Sequence, residues 1–159
     1  MFSLLRRETT PTELLSSTLL NEGTFYPQFT KDLQSSLHEV IIESPFVTRR
    51  RLSELLPVLQ KLKDRKVRVI VNTRDPLEHD DEWQRTAAHK AVASLQRIGI
   101  HVLFTAKHHR KLVVIDRHIL YEGSLNVLSQ NDSSEVMRRI ESAQLAWQMV
   151  RFVGIDQFL

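Results

Sequence analysis

Three apolar, β-branched-rich runs, VIIESPFV from Val40, VRVIVNT at 67–73 and IHVLFTA at 100–106, alternate with two stretches of helical periodicity. Strands that read as unbroken apolar runs are covered on both faces. Strand, helix, strand, helix, strand with short connections is the pattern of right-handed βαβ units. The expected fold class is therefore α/β: a mixed, largely parallel sheet flanked by helices on both faces.

The helical stretches are read from spacing. Phe25, Phe29, Leu33 and Leu37 recur every four residues, which predicts a helix from Phe25 to Glu39 with Pro27 in its first turn. Leu52, Leu55, Leu56, Leu59 and Leu62 mark a second helix, which Pro57 is expected to kink or divide. Trp83, Ala87, Ala91, Leu95 and Ile98 share the face of a third, with Gly99 at the position of a left-handed cap. Between the second strand and this helix, RDPLEHDDE reads as the longest surface loop.

After the third strand the pattern changes. HRKLVVI and HILYEG are strands parted only by Asp116 and Arg117, which is hairpin spacing without the glycine of the commonest tight turn. A turn with Gly123, Ser124 and Asn126, a strand SEVMRRIES and a closing helix with Leu145, Met149, Phe152 and Val153 on one face follow. One or more antiparallel strands are expected to join the parallel core. Residues 1–24 lack clear periodicity and are read as an extension or packing helix, with residues 25–159 as a single domain.

Composition limits the chemistry. The 159 residues contain no cysteine, which removes disulfides, thiolate metal sites and cysteine nucleophiles together. No apolar run approaches the roughly 18 residues that a membrane span needs, and the start MFSLLRRETTPTE lacks the order of a secretory signal. A soluble, cytoplasmic chain without a membrane partner is expected. The basic excess, 22 Lys and Arg against 19 Asp and Glu, is mild but suits a polyanionic partner.

Residues 108–126, HHRKLVVIDRHILYEGSLN, concentrate the reactive side chains. His109 and Lys111 lie two residues apart at the mouth of an apolar strand, so they project from one face, while His108 points to the other. Alone, such a pair is a polar strand entrance. The set His109, Lys111, Asp116, Gly123, Ser124 and Asn126, however, spells H-x-K-x4-D-x6-G-S-x-N with every fixed position filled.

This pattern resembles the HKD motif of the phospholipase D superfamily, and the α/β order from Val40 onward is similar to that superfamily more loosely. The chain looks most like the short members that carry a single motif, namely EDTA-resistant endonucleases, Zucchini-type nucleases and helicase-associated domains. The last group resembles ESPFVTRRR, VNTRDP, HHRKLVVID and GSLN most. The resemblance implies a phosphodiesterase with no cofactor. His109 is then the nucleophile that forms a phosphohistidine, and Lys111 the cation on the nonbridging oxygens. Ser124 and Asn126 add neutral hydrogen bonds to the phosphate. Asp116 and Glu135 are candidates to orient an imidazole through its second nitrogen. A second imidazole is needed to protonate the leaving group, and the chain has one motif. A homodimer that brings two His109 rings together across a two-fold axis is the expected solution.

No histidine pair has H-E-x-x-H spacing, so no metal site is expected. Basic clusters at Arg49, Arg50 and Arg51 and at Arg138 and Arg139 favour nucleic acid, DNA ahead of RNA, as the partner. A lipid phosphodiesterase and a noncatalytic nucleic-acid-binding module are the rival readings.

Overall fold

The computed structural model describes residues 16–159. One seven-stranded sheet runs through it in the order β1-β7-β6-β5-β2-β3-β4. The strands are β1 (Ser17–Asn21), β2 (Glu39–Glu43), β3 (Arg68–Thr73), β4 (His101–Phe104), β5 (Leu112–Ile115), β6 (Ile119–Gly123) and β7 (Val136–Glu141). The helices are α1 (Phe25–Ser35), α2 (Arg49–Asp64), α3 (Glu82–Arg97) and α4 (Ala143–Val153). β2, β3 and β4 pair in parallel, and every other neighbouring pair is antiparallel. The parallel core is thus confined to three strands, and the antiparallel ones join it through β5 on β2.

Helices cover both faces, which is why the strands lack alternation. Val40, Ile42, Val69, Val71, Val113 and Ile115 pack with Phe25, Phe29, Leu52, Leu59 and Leu95 from α1, α2 and α3. Their neighbours Ile41, Ile70, Leu112 and Val114 pack on the opposite face with Ala146 and Val150 from α4. Two stable layers result from one apolar sheet.

Several elements differ from their sequence expectations for identifiable reasons. Residues 17–21, expected in an extension or packing helix, are an edge strand on β7; residues 1–15 lie outside the described part. Helix α1 stops at Ser35, and Leu37, expected on its buried face, is 71% exposed. The backbone there is claimed by Asp116, whose carboxylate accepts from the N–H groups of Leu37, His38 and Glu39 at 2.8–2.9 Å and from Ser36 Oγ at 3.1 Å. Helix α2 runs through Pro57, which sits on its exposed side. On α4, Phe152 points outward rather than into the core, since Ala146 and Val150 take the buried stripe.

The hairpin without glycine is explained by the same carboxylate. Asp116 and Arg117 both adopt left-handed backbone, φ 51° and 49°, in a turn closed by His118 N–H on the Ile115 carbonyl at 3.0 Å. Asp tolerates this conformation better than most residues, but Arg does not. Arg117 is held there by Glu39 at 2.9 Å, by Asp156 at 2.8 Å and by the Trp147 ring beneath its guanidinium.

Burial alone would push the Asp116 carboxyl up, but the backbone donors of residues 37–39 and Ser36 reverse that and hold it below the usual carboxylate range. A depressed folded value means stability that is present above the unfolded value and lost as pH falls through the folded one. Asp116→Ala is therefore expected to lower unfolding stability at neutral pH by about 2–4 kcal/mol. The gap between wild type and variant should narrow in urea titrations below about pH 4, where the unfolded carboxyl takes up its proton.

Candidate active site

Because β5 runs antiparallel to β2, its first residue, Leu112, lies opposite the last residue of β2, Glu43. The segment entering β5 therefore arrives at the carboxyl ends of the parallel strands, where open α/β sheets hold their ligands. His109 and Lys111 sit on this segment. The Lys111 ammonium donates to the His109 carbonyl at 2.7 Å and faces the His109 ring, 3.1 Å from Nδ1 and 3.4 Å from Nε2. His109 is exposed, so a ring nitrogen and a cation are presented together to solvent.

These two residues line an open groove of about 640 Å³ with Glu122, Gly123, Ser124 and the α4 side chains Met149, Phe152 and Val153. Burial draws the Lys111 amine downward, the Glu135 carboxylate opposes this, and Arg74 adds to the lowering, with a net value below that of an ordinary lysine. Glu135 thus acts electrostatically on Lys111. Its carboxylate accepts from Ser133 Oγ at 2.8 Å, and among the described residues no hydrogen bond links it to an imidazole.

Gly123 and Ser124 lock the groove wall to β7. A Cβ on Gly123 would stand 2.1 Å from the Val136 carbonyl oxygen and 2.9 Å from Met137 Cα, so only glycine fits. Ser124 Oγ accepts from Val136 N–H at 3.0 Å, and Ser124 N–H donates to the Val136 carbonyl at 2.9 Å. The hydroxyl remains on the groove lip beside His109. Asn126 lies deeper, with its backbone carbonyl accepting from Ser129 and Gln130 and its side-chain Oδ1 buried without a hydrogen-bond partner.

Asp116 is a correction. It stands at the opposite end of β5 from His109, with its carboxylate committed to residues 36–39, and therefore orients backbone rather than an imidazole. The arginines divide as well. Arg139 is bound inside the fold by Asp32 at 2.6 and 3.0 Å, alongside Tyr121, whose hydroxyl donates to the same carboxylate. Arg51 is spent on the Gln130 carbonyl, on Glu54 and on the face of Tyr26. These two are structural rather than free cations, because each guanidinium is mostly buried against its partners. Arg138 donates to Ser17 Oγ at 2.7 Å. Arg49 and Arg50 are exposed, with Arg50 on Asn131 Oδ1.

Sequence reasoning missed Glu43. This carboxylate is fully buried and is bonded by His108 Nε2, by Asn72 Nδ2 at 3.1 and 3.2 Å and by Arg110 at 3.2 and 3.3 Å. A charge at the end of the apolar run VIIE and a histidine, His108, expected on the strand face away from His109 were the available signals. Among the described residues, no hydrogen bond or ring contact joins His109 to a second imidazole, and no three His, Asp or Glu side chains converge as metal ligands.

The family model described as cardiolipin synthase, PLD-like domain, matches residues 29–153, most of the chain. The chain belongs to this PLD-like family. No curated protein matches the sequence. Among solved structures, the domain is similar to the phospholipase D family member Nuc from Salmonella typhimurium at 16% identity and TM-score 0.68, covering 86% of this chain and 91% of that one. NucT from Helicobacter pylori gives 17% identity and the same score and coverage. Phosphatidylserine synthase from Haemophilus influenzae gives 14% and 0.59, covering 85% of this chain and 37% of that one. At such identities the likeness is one of fold; membership of the PLD-like family rests on the family model, and kinship does not fix the substrate. No described helix is long and apolar enough to cross a membrane.

Gly123→Ala is expected to lose about 1–3 kcal/mol in chemical denaturation, because the new methyl group meets backbone that cannot turn aside. Wild-type stability in that variant would show that β7 can move away from the groove wall.

Proposed function

We propose that this PLD-like domain is a metal-independent nuclease, acting on DNA ahead of RNA, whose nucleophile is His109 and whose active site is completed in a homodimer. The observation that carries the reading is the Lys111 ammonium beside the His109 ring at the lip of a solvent-open groove. A neutral ring nitrogen attacks phosphorus as the ester P–O bond breaks, and Lys111 stabilises the charge on the nonbridging oxygens. Ser124 adds a hydroxyl at the same lip. His109 of the partner subunit gives a proton to the leaving alkoxide, then takes one from the water that cleaves the P–N bond. Among the described residues no hydrogen bond or ring contact joins His109 to another imidazole, so a second copy is the natural source of that proton.

Support for the dimer comes from the groove itself. Phe152 is 87% exposed and, with Met149 and Val153, forms an apolar wall beside the cationic pair, a surface that a second copy would bury. Support for a nucleic acid comes from a second groove, of about 1150 Å³, between α2 and α3. Arg49, Arg50, Lys90 and Arg97 line it with Phe46 and Trp83, and no carboxylate is among its lining residues. Arg74 connects the two regions: its guanidinium lies over Phe46 and donates to the His108 carbonyl at 2.9 Å. Phosphates passing His109 would find cations along that route. A place within a helicase-type assembly is compatible with this surface.

Phosphatidyl transfer is the second reading, and the apolar wall of Met149, Phe152 and Val153 favours it. Salt separates the two, since phosphate-backbone binding weakens steeply with ionic strength and action on a neutral lipid interface does not.

The decisive assay is cleavage of labelled DNA and RNA in excess EDTA. Wild type is expected to cut, His109→Ala to lose about 10³-fold or more, and Lys111→Met roughly 10²- to 10³-fold. Activity that stops in EDTA and returns with a divalent ion would refute the metal-independent route. The pH–rate profile should be bell-shaped, as one imidazole starts neutral and the other protonated. Light scattering should give a dimer at assay concentration.

The double variant Arg49→Ala/Arg50→Ala is expected to weaken DNA binding and to reduce the slope of log K against log salt by about 2. Its hydrolysis of bis-(p-nitrophenyl) phosphate should be unchanged. An unaltered salt slope would remove these arginines from the interface.

A further inference from the structure

The segment 105–111 joins β4 to β5; backbone bonds from Thr105 N–H to the Thr73 carbonyl and from Gly123 N–H to the Lys111 carbonyl hold its ends, and side chains fix what lies between. Thr105 Oγ1 donates to Asn72 Oδ1 at 3.0 Å, Lys107 N–H reaches both Glu78 oxygens at 3.1 and 3.2 Å, and the His108 carbonyl accepts from Arg74. The deepest anchor is Glu43. It receives His108 Nε2 and the Arg110 guanidinium, so the residue before His109 and the residue after it are tied to one carboxylate. Both Glu43 and His108 have fully buried side chains, whereas His109 between the two gripped residues is exposed.

Desolvation alone would raise the Glu43 carboxyl; the hydrogen bonds from His108 and Asn72 outweigh it and hold the group below its ordinary value. Glu43 is therefore a permanent acceptor at working pH. His108 Nδ1 is buried without a partner. Facing an ionised carboxylate, which can only accept, Nε2 is the donor of the pair. The pair is thus a fixed donor and a fixed acceptor.

We propose that Glu43 and His108 are a positioning pair for His109: by gripping both sequence neighbours of the nucleophile, they set the direction in which its imidazole faces phosphorus. This rests on the reading of His109 as nucleophile. In-line displacement needs the attacking atom in a narrow approach, and a misplacement of about 1 Å can cost about 100-fold in rate. A purely structural role is the competing account. It differs in a measurable way: removing one partner of a buried pair costs stability, so a structural role predicts a loss of turnover that follows the folded fraction, whereas a positioning role lowers kcat in the molecules that stay folded. Stability and turnover then part company.

The test compares wild type, His108→Leu, His108→Gln and Glu43→Gln on bis-(p-nitrophenyl) phosphate and on DNA, together with the ring resonances of His109 by nitrogen-15 NMR. His108→Leu removes the donor, and His108→Gln keeps one near the Nε2 position. The expected result is a roughly 10- to 100-fold fall in kcat for His108→Leu with KM nearly unchanged, and recovery of most of it in His108→Gln. His109 resonances should shift or broaden in the leucine variant and return in the glutamine one.

Full kcat in His108→Leu with unmoved His109 resonances would overturn the proposal, as would a loss that only tracks the unfolded fraction and disappears on cooling. Should the leucine variant not fold, Glu43→Gln, which keeps the shape and removes the charge, is read by the same criteria. If wild type cleaves no phosphodiester, the proposed function fails, and the NMR comparison alone still decides whether the pair orders the His109 ring.

Discussion

The pairing of β2 with a parallel strand on one side and an antiparallel strand on the other is the constraint from which the rest follows. At that seam Glu43 lies opposite Asn72 on β3 and Leu112 on β5, so the end of one strand and the beginning of another come together. Without that reversal the entrance to β5 would lie at the amino ends of the parallel strands, away from the loops after β2 and β3. A buried carboxylate at the seam binds three side chains from two segments at once and is tolerable there because each partner is a hydrogen-bond donor. Position, charge and loop shape are thus settled by one register.

Much of this was legible in the chain. The β-branched runs announced β2, β3 and β5, and helical spacing announced α2 and α3, because sheet strands covered on both faces and helices covered on one leave different periods. Gly99 adopts φ 87°, the left-handed cap that its place after α3 suggested. His109 and Lys111 were expected on one face and do meet, since local spacing alone decides that. His108 was expected on the other face and is buried.

What escaped was long-range partnership. Nothing near Asp116 in sequence says that residues 36–39 will need its oxygens, and nothing near Arg139 points to Asp32, 107 residues away. Both were read as solvent-facing or catalytic because a charge seen in one dimension has no partner. Trp83 failed in the opposite sense: its spacing fits the apolar stripe of α3, but it is 76% exposed beside a groove, since the stripe outruns the core that could cover it. Periodicity reports which face turns inward and is silent on how far the neighbouring layer extends.

The HxK pair and Asp116 occupy the two ends of β5, four residues of buried strand lying between reactive groups and fold anchor. A strand's side chains alternate, so inserting or deleting one residue there would reverse every face and dislocate both ends together. The loop between Ser129 and Glu135 lies outside the sheet and is tied to α2 by Arg51 on the Gln130 carbonyl and by Arg50 on Asn131 Oδ1. A change in length there would leave every face of β5 as it is, so β5 acts as a ruler of constant span while the loop adjusts beside it.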